Sequence, residues 1–181
     1  MARLLTKYKT EIASALQAEF EIANVMAIPK LEKIVVSMGT GWATDEKARF
    51  EVVQKQLTLI VGQKPIICMS KKSVSNFKLR EDTPNGLKVT LRGKRMYEFF
   101  DRLVSLTIPR VKDFRGLKPT GFDGRGNYNM GLTEQSVFPE IDPASVTFSQ
   151  GMNICFQTST NNDEQARALL KFLGMPFAAS N

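Results

Sequence analysis

Four cations, Lys71, Lys72, Lys78 and Arg80, fall within ten residues in the stretch MSKKSVSNFKLREDTPNG (Met69–Gly86). Lys64 and Lys88 stand just beyond its ends, and only Glu81 and Asp82 oppose them. Amines and guanidiniums at this density are suited to neutralising phosphate. Such a loop adds little to a core and repels itself, so a polyanion is the partner it fits. The plain alternative is a solvated face without a role. Against it, the strand-like GLKVTLRG adds Lys88 and Arg92 on one side, and Lys94 and Arg95 follow directly. Three adjacent elements therefore agree in sign, which favours nucleic acid. Phe77 within the loop either anchors it in the core, the commoner use of such a ring, or stacks on a base. Ser37, Gln63 and Thr90 are short neutral groups suited to 2′-hydroxyls or base edges, and are equally ordinary strand and loop residues.

Other chemistries lack their residues. The chain has no histidine, which removes the commonest general base and metal ligand. Glu81 with Asp82, and Glu140 with Asp142, are carboxylate pairs with nothing to separate their pKa values, and read as turn and cap charges. Gly121, Gly124, Gly126 and Gly131 do not make the dinucleotide fingerprint, and Gly93–Lys94 lacks the upstream glycine of a phosphate loop because that position is Lys88. Turn geometry accounts for these glycines. Cys68 and Cys155 lie far apart in apolar, strand-like runs and read as two buried thiols rather than a disulfide or zinc site. No cofactor and no metal are expected. The start, MARLLTKYKTEIASALQ, lacks the apolar core and cleavage site of a signal peptide, and no apolar stretch is long enough to span a bilayer. The expectation is a reducing cytoplasm and no membrane partner.

The charge is unevenly placed. Across 181 residues, 25 cations against 18 acidic residues give +7. Between Lys64 and Lys118 there are 14 of the cations and 5 of the acidic residues, so that segment is +9 and the remainder −2. A charge serving solubility alone has no reason to concentrate; a binding surface has.

The elements that must position these groups follow from periodicity. Leu5, Tyr8, Ile12, Leu16 and Phe20 mark an amphipathic helix with one buried stripe. After Pro29, Ile34, Val36 and Met38 share one face of a strand and Lys33, Val35 and Ser37 the other. Thr44, Asp45 and Glu46 start a second helix, whose stripe is Phe50, Val53, Leu57 and Ile60 and whose stop is Gly62. PIICM is a short strand, followed by the basic loop. In GLKVTLRG, Leu87, Val89 and Leu91 alternate with Lys88, Thr90 and Arg92. A third helix turns Met96, Phe99, Phe100, Leu103 and Leu106 inward and ends at Pro109. RVKDFRGLKPTGFDGRGNYNMG reads as an extended loop and a hairpin, SVTFSQGMNICFQTS as two strands, and NNDEQARALLKFLG as a capped helix ended by Gly174 and Pro176. The fold expected is α+β: a single RNA-binding domain over residues 1–181, a mainly antiparallel sheet with helices packed on one face and a long basic loop.

Nearly the whole chain resembles the bacterial type of large-subunit ribosomal protein five. The resemblance rests on NVMAIPKLEKIVVSMGTG, LTLIVGQKPIICMSKKSV, NFKLRED, LKVTLRGKRMYEFFDRL, IPRVKDFRGL, FDGRGNYNMGLTEQ, FPEID and ALLKFLGMPF, in that order. It implies a non-enzymatic protein that binds 5S rRNA and helps attach it in the central protuberance, beside 23S rRNA and neighbouring large-subunit proteins. It also implies contact with the elbow of the peptidyl-site tRNA and a bridge to small-subunit protein thirteen. Carried over residue by residue, the 5S contacts fall on Ser37, Gln63 and Thr90, with Lys33, Lys88 and Arg92 nearby. The tRNA contacts fall on Lys71, Lys72, Lys78 and Arg80, and the small-subunit bridge on Arg110, Lys112 and Arg115. Position 37 is usually Asn in that family; here the hydroxyl of Ser37 replaces one amide hydrogen bond but not a donor–acceptor pair. Met69 stands where that family often has Lys.

Overall fold

The structure, a computed structural model, describes residues 2–41 and 47–178, apart from the side chains of residues 47 and 145. Its strands are β1 (Leu31–Gly39), β2 (Ile66–Met69), β3 (Pro84–Leu91), β4 (Tyr128–Leu132) and β5 (Met152–Thr158). They form one antiparallel sheet in the order β2-β3-β1-β5-β4, so β2 and β4 are its edges. The helices are α1 (Arg3–Lys7), α2 (Ala13–Glu19), α3 (Lys47–Val61), α4 (Gly93–Arg102) and α5 (Asp163–Phe172). The class is α+β, as the alternating patterns require.

In β1, Ile34, Val36 and Met38 are buried, while Lys33, Val35 and Ser37 are half-exposed. In β3, Leu87, Val89 and Leu91 are buried, Lys88 is exposed and Thr90 half-exposed. In β5, Ile154 and Phe156 are buried and Cys155 and Gln157 half-exposed. Each of these strands therefore has a core side and an open side, and the period of two decides which residue takes which.

The chain divides into two compact units. The first comprises Met1–Val35, Leu91–Met130 and Ile154–Asn181. Its core holds Leu4, Ile12, Leu16, Met96, Phe99, Phe100, Leu103, Phe156, Leu169 and Leu170, with Phe100 edge-on to Phe156 at 5.6 Å. α5 starts at Asn162, whose carboxamide oxygen accepts from Glu164 N–H at 2.9 Å, and it stops before Gly174 at φ 99°.

Two π turns correct the expected stripes of this unit. The turn Tyr8–Ile12 joins α1 to α2, and Leu4, not Leu5, is the fully buried residue above it. Leu4, Tyr8, Ile12 and Leu16 are four apart, a spacing that drifts around an α-helix of 3.6 residues per turn. The wider i→i+5 turn takes the drift back. The second π turn, Leu103–Thr107, follows α4 and has the same effect: Thr107 is buried and Leu106 points outward.

The second unit comprises Val36–Thr90 and Gly131–Asn153. α3 supplies Phe50, Val53, Leu57 and Ile60 to its core, all buried, and ends at Gly62 with φ 71°. The expected cap at Thr44, Asp45 and Glu46 lies outside the described residues. Residues 146–151 form no strand, so SVTFSQGMNICFQTS supplies β5 alone. Side chains satisfy their backbone instead of a ladder: buried Gln135 donates to Phe148 O at 2.7 Å and accepts from Gln150 N–H at 2.5 Å, while Gln150 donates to Gly39 O at 3.0 Å.

The thiols also depart from expectation. Cys68 is exposed and Cys155 half-exposed. The first lies on edge strand β2, where all four residues are exposed; the second alternates with Ile154 and Phe156, which take the core side.

Candidate RNA interface

The basic stretch is a small hairpin of its own. Ser70 and Thr83 close its base: Ser70 N–H donates to Thr83 O at 2.9 Å and Asp82 N–H to Ser70 O at 3.1 Å. Near the tip, Val74 and Leu79 pair, with N–H to O distances of 2.9 and 3.1 Å. Between them lies the 3-10 turn Ser75–Phe77, and Lys78 at φ 51° reverses the chain. The strand residues Pro84 and Asn85 already belong to β3, so the loop proper spans 70–83 and is shorter than the sequence suggests. Lys71, Lys72, Lys78 and Arg80 are all exposed on it. Phe77 is 78% exposed, which removes the core-anchor reading.

The open side of the sheet holds the neutral candidates. Ser37 and Thr90 are half-exposed and Lys88 exposed, each at an open-side position of neighbouring strands β1 and β3. Across β2 and β3, Ile66 pairs with Lys88 and Cys68 with Gly86, so these also share the open side. Gly86 itself is buried, and an added Cβ would lie 3.2 Å from Met38 O. Gln63 is half-exposed in the connection from α3 to β2. The second unit thus holds Ser37, Gln63, Lys88, Thr90 and the four hairpin cations. Lys33 and Arg92 belong to the first unit: Lys33 on the open side of β1, and Arg92 exposed just past β3. Arg110, Lys112 and Arg115 are also in the first unit, all exposed: Arg110 ends the 3-10 turn Ile108–Arg110, and Lys112 and Arg115 lie on the segment after it.

Ile66 is 69% exposed, although it stands in the apolar run PIICM, and Met69 at the entrance of the basic stretch is 52% exposed. An apolar run reads as core. Only the edge position of β2, which local sequence does not encode, exposes it.

The glycine-rich segment GFDGRGNY is a hairpin locked by two carboxylates. Asp163 accepts from Gly124 N–H at 3.0 Å and Gly126 N–H at 2.7 Å. Asp123 accepts from the Asn127 side chain at 2.7 Å and from the N–H groups of Arg125 and Asn127. These bonds, that to the Asn127 side chain foremost, hold the Asp123 carboxyl below its usual range. Gly124 and Gly126 have φ of 79° and 76°, so turn geometry accounts for them. Among the described residues, no group of three or more His, Cys, Asp and Glu side chains is placed to hold a metal ion, and no helix is long and apolar enough to cross a membrane.

The surface that results is basic and solvent-exposed. It offers cations on a projecting hairpin and small hydroxyls beside a lysine on an open sheet, an arrangement suited to phosphates and sugar edges and without groups for bond-breaking chemistry.

Comparison with known proteins shows the family. Residues 24–80 match the family model described as Ribosomal protein L5, and residues 84–177 the model described as the ribosomal L5P family C-terminus. The protein named large ribosomal subunit protein uL5 from Alkaliphilus oremlandii is 53% identical over 178 residues, 98% of this chain and 99% of the relative. Those of the same name from Ruthia magnifica and Thermosipho melanesiensis are each 53% identical, over 177 and 174 residues. They cover 98% and 96% of this chain, and 99% and 96% of the relatives.

Proposed function

This chain belongs to the ribosomal protein L5 family, and from that premise we propose how it engages RNA. It is a structural protein of the large ribosomal subunit, working in translation on the cytoplasmic ribosome and not as an enzyme, with rRNA and other ribosomal proteins as its neighbours. Within that setting the sheet side of Ser37, Gln63, Lys88 and Thr90, with Lys33 and Arg92, binds 5S rRNA and helps attach it in the central protuberance beside 23S rRNA. The hairpin cations Lys71, Lys72, Lys78 and Arg80 contact the peptidyl-site tRNA. Arg110, Lys112 and Arg115 bridge to small-subunit protein thirteen.

The observation that carries the reading is the open side of β1 and β3. Its small polar residues are neither buried nor covered, and one lysine stands among them. A-form RNA displays its 2′-hydroxyls across a wide, shallow groove, which the open side of a sheet can meet without a cleft. Phosphate neutralisation supplies most of the affinity, and the neutral groups supply fit. Removing Thr90 or Gln63 by alanine is expected to weaken binding to 5S rRNA by about 1 kcal/mol each, the ordinary net value of one hydrogen bond. Filter binding or calorimetry with the folded variants checks it. Wild-type affinity in both variants would place the 5S site elsewhere.

A further inference from the structure

We propose that Phe77 is a base-stacking residue: the hairpin tip inserts its ring against an unpaired nucleobase while the surrounding cations hold the flanking phosphates. This rests on the reading of the hairpin as an RNA-binding arm and adds a specificity that cations alone do not give.

Three observations support it. Phe77 is 78% exposed, although burying a phenyl ring is strongly favourable and a polar residue would serve a solvent-facing turn. Its position is fixed: the pairing of Val74 with Leu79 and the turn Ser75–Phe77 set the tip. The reversal next to it is made by Lys78 at φ 51°, a conformation that favours glycine. A lysine there places an ammonium directly beside the ring in sequence. Finally, exposed Lys71, Lys72 and Arg80 share the same short hairpin. An aromatic face among cations is the combination by which proteins hold single-stranded nucleic acid: bases stack on the ring and the backbone meets the charges. A pocket on a protein partner would have use for the ring but none for four cations.

The test measures binding of the full chain to two probes across a range of salt: a deacylated tRNA, and a blunt RNA duplex of equal length without unpaired bases. Phe77→Ala should weaken tRNA binding roughly tenfold, equivalent to about 1.4 kcal/mol of stacking, and leave duplex binding unchanged. The slope of log affinity on log salt should stay at its wild-type value, because no phosphate contact is lost. Phe77→Trp, in a background with the chain's one tryptophan replaced by Trp42→Phe, should retain affinity and show tryptophan quenching by tRNA but not by the duplex. Wild-type tRNA affinity in Phe77→Ala, or quenching by both probes alike, would overturn the proposal. A variant with Lys71, Lys72, Lys78 and Arg80 all changed to Ala separates the two readings. A shallower salt slope there together with a silent Phe77→Ala removes stacking only. A wild-type slope there removes the RNA-binding arm itself, and stacking with it.

Discussion

At the scale of residues, the fold assigns different work to side chains of one type. Tyr97 is buried, and its ring lies 6.5 Å from that of Tyr8. Burial first, and the neighbouring Tyr8 second, push its phenol up to about 12 from an ordinary value near 10. The neutral phenol is therefore the form the folded state prefers. The sign follows from linkage: this contribution to stability is fully present below pH 10 and is lost as pH rises from 10 to 12. Tyr97→Phe keeps the ring and cannot ionise, so its stability should fall less steeply over that window, by on the order of 1–3 kcal/mol. Denaturant melts at pH 9 and pH 11 measure the difference; identical losses in both proteins would contradict it. Ser37 and Thr90, by contrast, are half-exposed hydroxyls on the open side of β1 and β3.

At the scale of elements, legibility followed how locally each shape is determined. The open side of β3 was readable because Leu87, Val89 and Leu91 alternate with Lys88 and Thr90 without a break, and α3 was readable because Phe50, Val53, Leu57 and Ile60 sit on one face. The π turns were not, because they depend on how a stripe spaced by fours packs, and so Thr107 rather than Leu106 went inward. Residues 146–151 were read as a strand from composition, yet buried Gln135 takes their backbone bonds. Cys68 was read as interior because edge position is a property of the sheet, not of β2. The candidate site fared similarly. Its cations were legible as a cluster; the pairing of Val74 with Leu79 that shapes their hairpin was not. The segment of Arg110, Lys112 and Arg115 carries a prediction of its own. Changing all three to Glu should lower the fraction of joined ribosomal subunits several-fold in sucrose gradients at limiting magnesium, with affinity for 5S rRNA unchanged. An unchanged joined fraction would remove the bridge assignment.

At the scale of the whole molecule, the net +7 is the sum of a +9 middle segment and a −2 remainder. The positive segment contains β2, the hairpin, β3 and the whole of α4. Charge of this kind draws any polyanion, and its contribution to affinity decays with salt by about 0.7–0.9 log units per log unit for each phosphate contacted. The proposed site on the open sheet side would add a term that salt does not remove. The two are separable in one experiment: titration of affinity with salt for 5S rRNA, beside a tRNA and an unrelated hairpin of similar length. A preference for 5S rRNA that persists at high salt is the predicted result. Equal affinities that vanish together as salt rises would contradict a 5S-specific site and leave only a basic surface.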